Sequence, residues 1–111
     1  MRYHERFEWD PSKAKSNYKD HRVTFDAAAA VLDDEYHETF HLEDYDDAHS
    51  EEEHRRTTIG SLPQDRDVVL MICWTERHDE ELRFTRIISA RRVTKSERRI
   101  YARYVEKTNR R

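Results

Sequence analysis

Apolar residues fall in short runs whose period changes along the chain. Phe7-Glu8-Trp9 alternates apolar, polar, apolar, and leads into Asp10-Pro11, an acid able to cap a helix followed by a proline suited to its first turn. The spacing predicts a helix over 11–20 with Ala14 and Tyr18 inward and Lys13, Lys15 and Lys19 solvated. A second helix follows, capped by Thr24, carried by the alanine run 27–30 and stopped at Asp33-Asp34, with Phe25, Ala28, Val31 and Leu32 as its buried set. The imperfect alternation of 36–42 predicts an edge strand, and 43–53 reads as loop. Residues 55–61 predict another strand, ended by the turn chemistry of Leu62-Pro63-Gln64-Asp65. The continuous run 68–75, β-branched and aromatic, predicts a central strand covered on both faces.

After a polar connection over 76–81, residues 82–89 predict a strand with Leu82, Phe84, Arg86 and Ile88 on one face and Arg83, Thr85, Ile87 and Ser89 on the other. Thr94-Lys95-Ser96-Glu97 fits the capping box that opens a final helix, packed through Ile100, Tyr101, Tyr104 and Val105. The order β-α-α-β-β-β-β-α predicts an α+β fold: a mostly antiparallel sheet with two N-terminal helices and a C-terminal helix packed on it. At 111 residues this is one domain spanning 1–111, with enough chain for a single core.

Charge changes the picture more than composition does. The net charge of −3 conceals two opposed blocks. From Leu82 onward there are eleven Lys or Arg residues against two acids, a balance of +9, whereas 33–53 carries eleven acids and no Lys or Arg. Such a pair implies either mutual neutralisation or two faces for different partners, and the basic block is the footprint of an anionic partner such as nucleic acid. The lone Cys73 lies in an apolar run and reads as a small buried hydrophobe, which suits the cytoplasm. No N-terminal run resembles a signal peptide, and the longest apolar run, 68–74, is far short of the roughly 18 residues of a membrane span.

Candidate chemistry is concentrated in cations. Arg86, among apolar neighbours on its strand, needs either a carboxylate or a phosphate, and Arg91 and Arg92 just beyond could converge with it on one anion, since a guanidinium grips phosphate through two hydrogen bonds. Seven histidines do not show metal-ligand spacing: His49 to His54 is not a His-Glu-x-x-His pattern, so no metal is expected. His21, at the end of the first helix, is a candidate proton-transfer group or simply a helix C-terminal cation. Glu51 to Glu53 beside His54-Arg55-Arg56 is either a proton-transfer cluster or a local set of ion pairs. Gly60 is the only glycine, so no phosphate-cradling loop exists and no nucleotide cofactor is expected.

Two motifs in order, Phe7-Glu8-Trp9-Asp10 with Lys13, Asn17, His21, Val23 and Phe25, and then Arg86-Ile87-Ile88-Ser89-Ala90-Arg91-Arg92 with Glu97, Arg98 and Tyr101, resemble the BrnT toxin family. The resemblance implies a RelE-like fold and a ribonuclease toxin of a bacterial type II toxin–antitoxin system that inhibits translation and growth. It also implies neutralisation by a BrnA antitoxin, whose ribbon-helix-helix domain binds operator DNA and so links the toxin to DNA indirectly. One departure concerns the backbone: the family usually has glycine where this chain has Arg22, so the turn after the first helix loses the residue best suited to a left-handed conformation. RNA cleavage without metal needs a base, cations to stabilise the phosphorane and an acid for the leaving oxygen. On that expectation Arg86 and Arg91 stabilise the phosphate, His21 or Glu53 moves protons, and Lys13, Arg56, Arg77 and Arg92 position RNA. The competing reading is a catalytically silent module that lends basic surface to a DNA-bound repressor complex.

Overall fold

The computed structural model describes residues 6–34, 40–41 and 55–109. The chain runs β1 (Phe7–Glu8), α1 (Pro11–His21), α2 (Phe25–Asp33), β2 (Phe40–His41), β3 (Arg56–Leu62), β4 (Asp65–Asp79), β5 (Leu82–Arg92) and α3 (Lys95–Asn109), an α+β fold in the order expected. The sheet order is β1-β5-β4-β3-β2, with β1 parallel to β5 and the other neighbours antiparallel. Among the described residues no helix is long and apolar enough to cross a membrane. Of the expected strand over 36–42, only Phe40–His41 falls among the described residues; the expected loop over 43–53, with Glu53, lies outside them.

The helices start and stop for local reasons. Asp10 caps α1 by accepting the Ser12 N–H at 2.9 Å, with Pro11 in the first turn, and Arg22 ends it in the left-handed conformation at φ 57°. Thr24 caps α2 by accepting the Ala27 N–H at 3.1 Å. Thr94 and Glu97 form the expected capping box: the Thr94 N–H donates to the Glu97 carboxylate at 2.7 Å, and the Glu97 N–H to Thr94 Oγ1 at 3.2 Å.

β4 alternates Leu70 and Ile72 toward one side and Val69 and Met71 toward the other, and both sides are covered. Phe25, Ala28, Ala29 and Val31 of α2 pack with Phe7, Leu70, Ile72, Ile87 and Ala90 on the first side. On the second, Tyr101 of α3 packs with Ile59, Val69 and Met71. This two-sided burial is why the run 68–74 is apolar at every position rather than every second one.

Of the two residues expected on the inward face of α1, Ala14 packs against the core and Tyr18 does not. Tyr18 is exposed, and Asn17 is the buried residue. Its Nδ2 donates to the carbonyls of Val23 (3.1 Å) and Ala90 (2.8 Å), while its Oδ1 accepts the Ala90 N–H at 3.1 Å. β1 pairs with β5 only at Thr85 and Arg86, so farther along that edge the Asn17 amide satisfies the backbone where a strand would. An apolar-periodicity argument passes over such a residue because its burial is hydrogen-bonded, not hydrophobic.

β5 also breaks its predicted alternation. Cys73 faces Ser89 and Trp74 faces Ile87, so Ile88 is an extra residue in the strand. This bulge resets the phase: Ile87 and Ala90 share the α1–α2 side, although simple counting puts them on opposite sides.

Candidate active site

Cross-strand partners point to the same side of a sheet. Thr75 faces Arg86 and Met71 faces Arg91, so the bulge turns both arginines to the side that carries α3. They are still four β4 positions apart, about 13 Å along the strand. Each holds its own carboxylate. Arg86 Nη1 donates to Glu8 at 2.6 Å. Arg91 grips Glu97 with both guanidinium nitrogens, at 2.8 and 2.9 Å, and also lies 3.0 Å from Met71 Sδ and 3.2 Å from the Arg92 carbonyl. The expected shared anion pocket of Arg86 and Arg91 is therefore not formed. The Glu97 carboxyl is held down to about 2, chiefly by the hydrogen bonds from Arg91, with the Thr94 N–H assisting against the effect of burial. Arg91 thus braces the end of β5 against the start of α3.

Arg86 instead meets two other expected residues. A cleft of about 280 Å³ is lined by Lys13 from α1, Thr75, Glu76 and Arg77 from β4, and Arg86 and Ile88 from β5. Lys13 reaches it because Asn17 fixes α1 along the edge of β5 one helical turn away. Among the described residues, neither Lys13 nor Arg77 makes an ion pair, whereas Arg86 pairs directly with Glu8 and acts at longer range on Asp10. The Arg86 and Glu8 side chains are 32% and 34% exposed, so both can be reached from solvent. Three cations on three elements around one small open cleft can hold a phosphodiester.

The remaining expected residues lie elsewhere. His21 is exposed at the far end of α1, eight residues and about 12 Å from Lys13 along the axis. Arg56 lies over the Trp74 ring at 5.7 Å, on the α1–α2 side. Arg92 lines a separate depression with Arg22, Leu62 and Leu70. Among the described residues no group of three or more His, Cys, Asp and Glu is placed to hold a metal ion. The sequence reading missed Glu8 and Glu76. Alternation in Phe7-Glu8-Trp9 turns Glu8 away from the core, but nothing local reveals that β1 lies parallel to β5 with Glu8 opposite Arg86.

Two acids of the block, Asp33 and Asp34, fall among the described residues, and both pair with arginines that lie outside the C-terminal basic block. Asp33 pairs with Arg6 and Asp34 with Arg66, the latter at 2.8 Å.

Comparison with known proteins agrees with this architecture. Among solved structures, the 1.1 Å crystal structure of the Brucella abortus ribonuclease toxin BrnT matches at a TM-score of 0.53 and 17% identity, covering 81% of this chain and 97% of that one. At that identity the likeness is one of fold. No curated protein matches the chain. Residues 9–97, from the Trp9-Asp10 cap to the Glu97 capping box, match the model of the family described as the ribonuclease toxin, BrnT, of type II toxin–antitoxin systems, and the chain belongs to that family.

Proposed function

We propose that this protein is a metal-independent endoribonuclease toxin that inhibits translation and growth, with the cleft of Lys13, Arg77 and Arg86 as its phosphate site. One observation carries the reading: α1, β4 and β5 each contribute a cation to the same cleft. A phosphorane intermediate carries more negative charge than the diester it forms from, so cations preset around it bind the transition state more tightly than the substrate. Arg86 stabilises the phosphate, Lys13 and Arg77 position the strand, and Arg91 supports the cleft by fixing β5 against α3. Arg56 extends the basic surface for RNA, whereas Arg92 lines its separate depression and takes no part in the phosphate site. His21, considered above for proton transfer, is not among the described residues lining this cleft, and Glu53 lies outside the described residues.

The partner is an antitoxin of the BrnA kind, with a ribbon-helix-helix domain that ties the pair to operator DNA, and the setting is the cytoplasm. The purified protein should cleave RNA in the presence of a chelator, and Arg86→Ala should abolish both cleavage and growth arrest in a bacterial host while the circular dichroism spectrum is retained. A catalytically silent subunit of a DNA-bound repressor would cleave no RNA with or without divalent metal.

A further inference from the structure

We propose that Glu8 is the general base of the cleft, taking the proton of the RNA 2′-hydroxyl while Arg86 holds the phosphate beside it. This rests on the ribonuclease reading and adds the group it lacked. β1 is only two residues long, yet its parallel pairing sets Glu8 opposite Arg86 on the same face of the sheet, with 2.6 Å between carboxylate and guanidinium, so Glu8 adjoins the cleft through Arg86 without lining it.

The other carboxylates near the cleft have different commitments. Asp10 caps α1, accepting both the Ser12 N–H and the Ser12 hydroxyl at 2.9 Å, and these bonds hold its carboxyl below the ordinary range. Glu76 faces Thr85, on the Phe7 side of the sheet, and is oriented toward Arg83 at 3.9 Å. Glu97 is bound by Arg91 at the start of α3. Glu8 is the carboxylate that shares both a face and a direct contact with the phosphate-binding arginine.

A phosphodiester entering the cleft competes with Glu8 for Arg86. Its arrival weakens the ion pair and leaves the carboxylate beside the sugar with an oxygen free to accept a proton. Glu8 contacts Arg86 on β5; the cleft beside that pair carries Lys13 of α1 and Glu76 and Arg77 of β4, and Asp10 at the start of α1 lies in the field of Arg86. In the step itself, Glu8 takes the 2′-hydroxyl proton, O2′ forms a bond to phosphorus, and the bond from phosphorus to O5′ breaks. Water at the cleft mouth protonates O5′, and the hydroxide so formed takes the proton back from Glu8. The products are a 2′,3′-cyclic phosphate and a 5′-hydroxyl, with no net change in protons.

The test is Glu8→Gln, which keeps the shape and an oxygen for Arg86. The expected result is a fall in kcat of about a hundredfold or more, loss of the acid limb of the profile of kcat against pH, and little change in affinity for 2′-O-methylated RNA, which lacks the attacking hydroxyl. Glu8→Asp should restore part of kcat and the acid limb. If the wild-type chain cleaves RNA and Glu8→Gln matches it in kcat and pH profile, the assignment falls alone. If Glu76→Gln removes the acid limb and Glu8→Gln does not, the base is Glu76. A wild-type chain without RNA cleavage overturns the ribonuclease reading and this assignment with it.

Discussion

Arg22 shows how a single residue carries backbone strain that the sequence announces. A non-glycine residue in the left-handed region costs about 1–2 kcal/mol, and Arg22 sits there at φ 57° while its N–H closes the helix on the Tyr18 carbonyl at 2.8 Å. What the sequence does not announce is the compensation: the guanidinium lies over the Tyr18 ring at 5.6 Å, a contact that contributes about 0.5–1 kcal/mol at an exposed site. Arg22→Gly should therefore stabilise the protein by about 0.5 kcal/mol, and by about 1–1.5 kcal/mol in a Tyr18→Ala background, as read from urea denaturation. Destabilisation in both backgrounds would contradict this account of the turn. Asn17 gives the complementary case, because its role depends on the distant Ala90 backbone and leaves no apolar signal at its own position.

Among the elements, the caps were legible and the pairing was not. Asp10-Pro11, Thr24 and the box from Thr94 to Glu97 each act within one turn of chain, so local residue types decide them. The bulge at Ile88 and the parallel contact of β1 arise from tertiary packing, and together they decided which arginines share a face. Sequence alternation over 82–89 put Arg86 on the face of Phe84, as found, and stopped short of Arg91, which the bulge brings to that same face. The junction of β5 and α3 makes its own prediction. Glu97, only 15% exposed, has its carboxyl lowered from 4.5 to about 2 by Arg91. A carboxylate depressed on folding stabilises the protein fully above its unfolded value near 4.5 and loses that contribution as pH falls toward 2. The contribution is of order 2 kcal/mol. Glu97→Gln should be less stable than wild type at pH 6, and the gap should close between pH 4.5 and pH 2 in denaturation experiments. A gap that is constant with pH would mean that the Arg91 pair does not set the stability of this junction.

For the whole molecule, charge distribution proved a better guide than net charge. The basic block includes Arg86, while Lys13 and Arg77 come from segments with no such excess, so the full cleft was visible only once α1, β4 and β5 were assembled. Composition also could not say which arginines bind a ligand and which hold the fold together, since Arg86 and Arg91 both form ion pairs. They differ in setting: Arg86 opens onto a cleft with two further cations, and Arg91 is clamped by two bonds to Glu97.

Binding of a 2′-O-methylated single-stranded RNA across a salt series compares these settings directly, using Arg86→Ala and, as a basic residue outside the cleft, Arg92→Ala. Loss of one phosphate contact should weaken binding about tenfold and lower the slope of log affinity against log salt by about 0.7–1 for Arg86→Ala, with a much smaller change for Arg92→Ala. Equal losses in the two variants would mean that RNA is held by diffuse positive charge, and the Lys13, Arg77 and Arg86 cleft would not be its phosphate site.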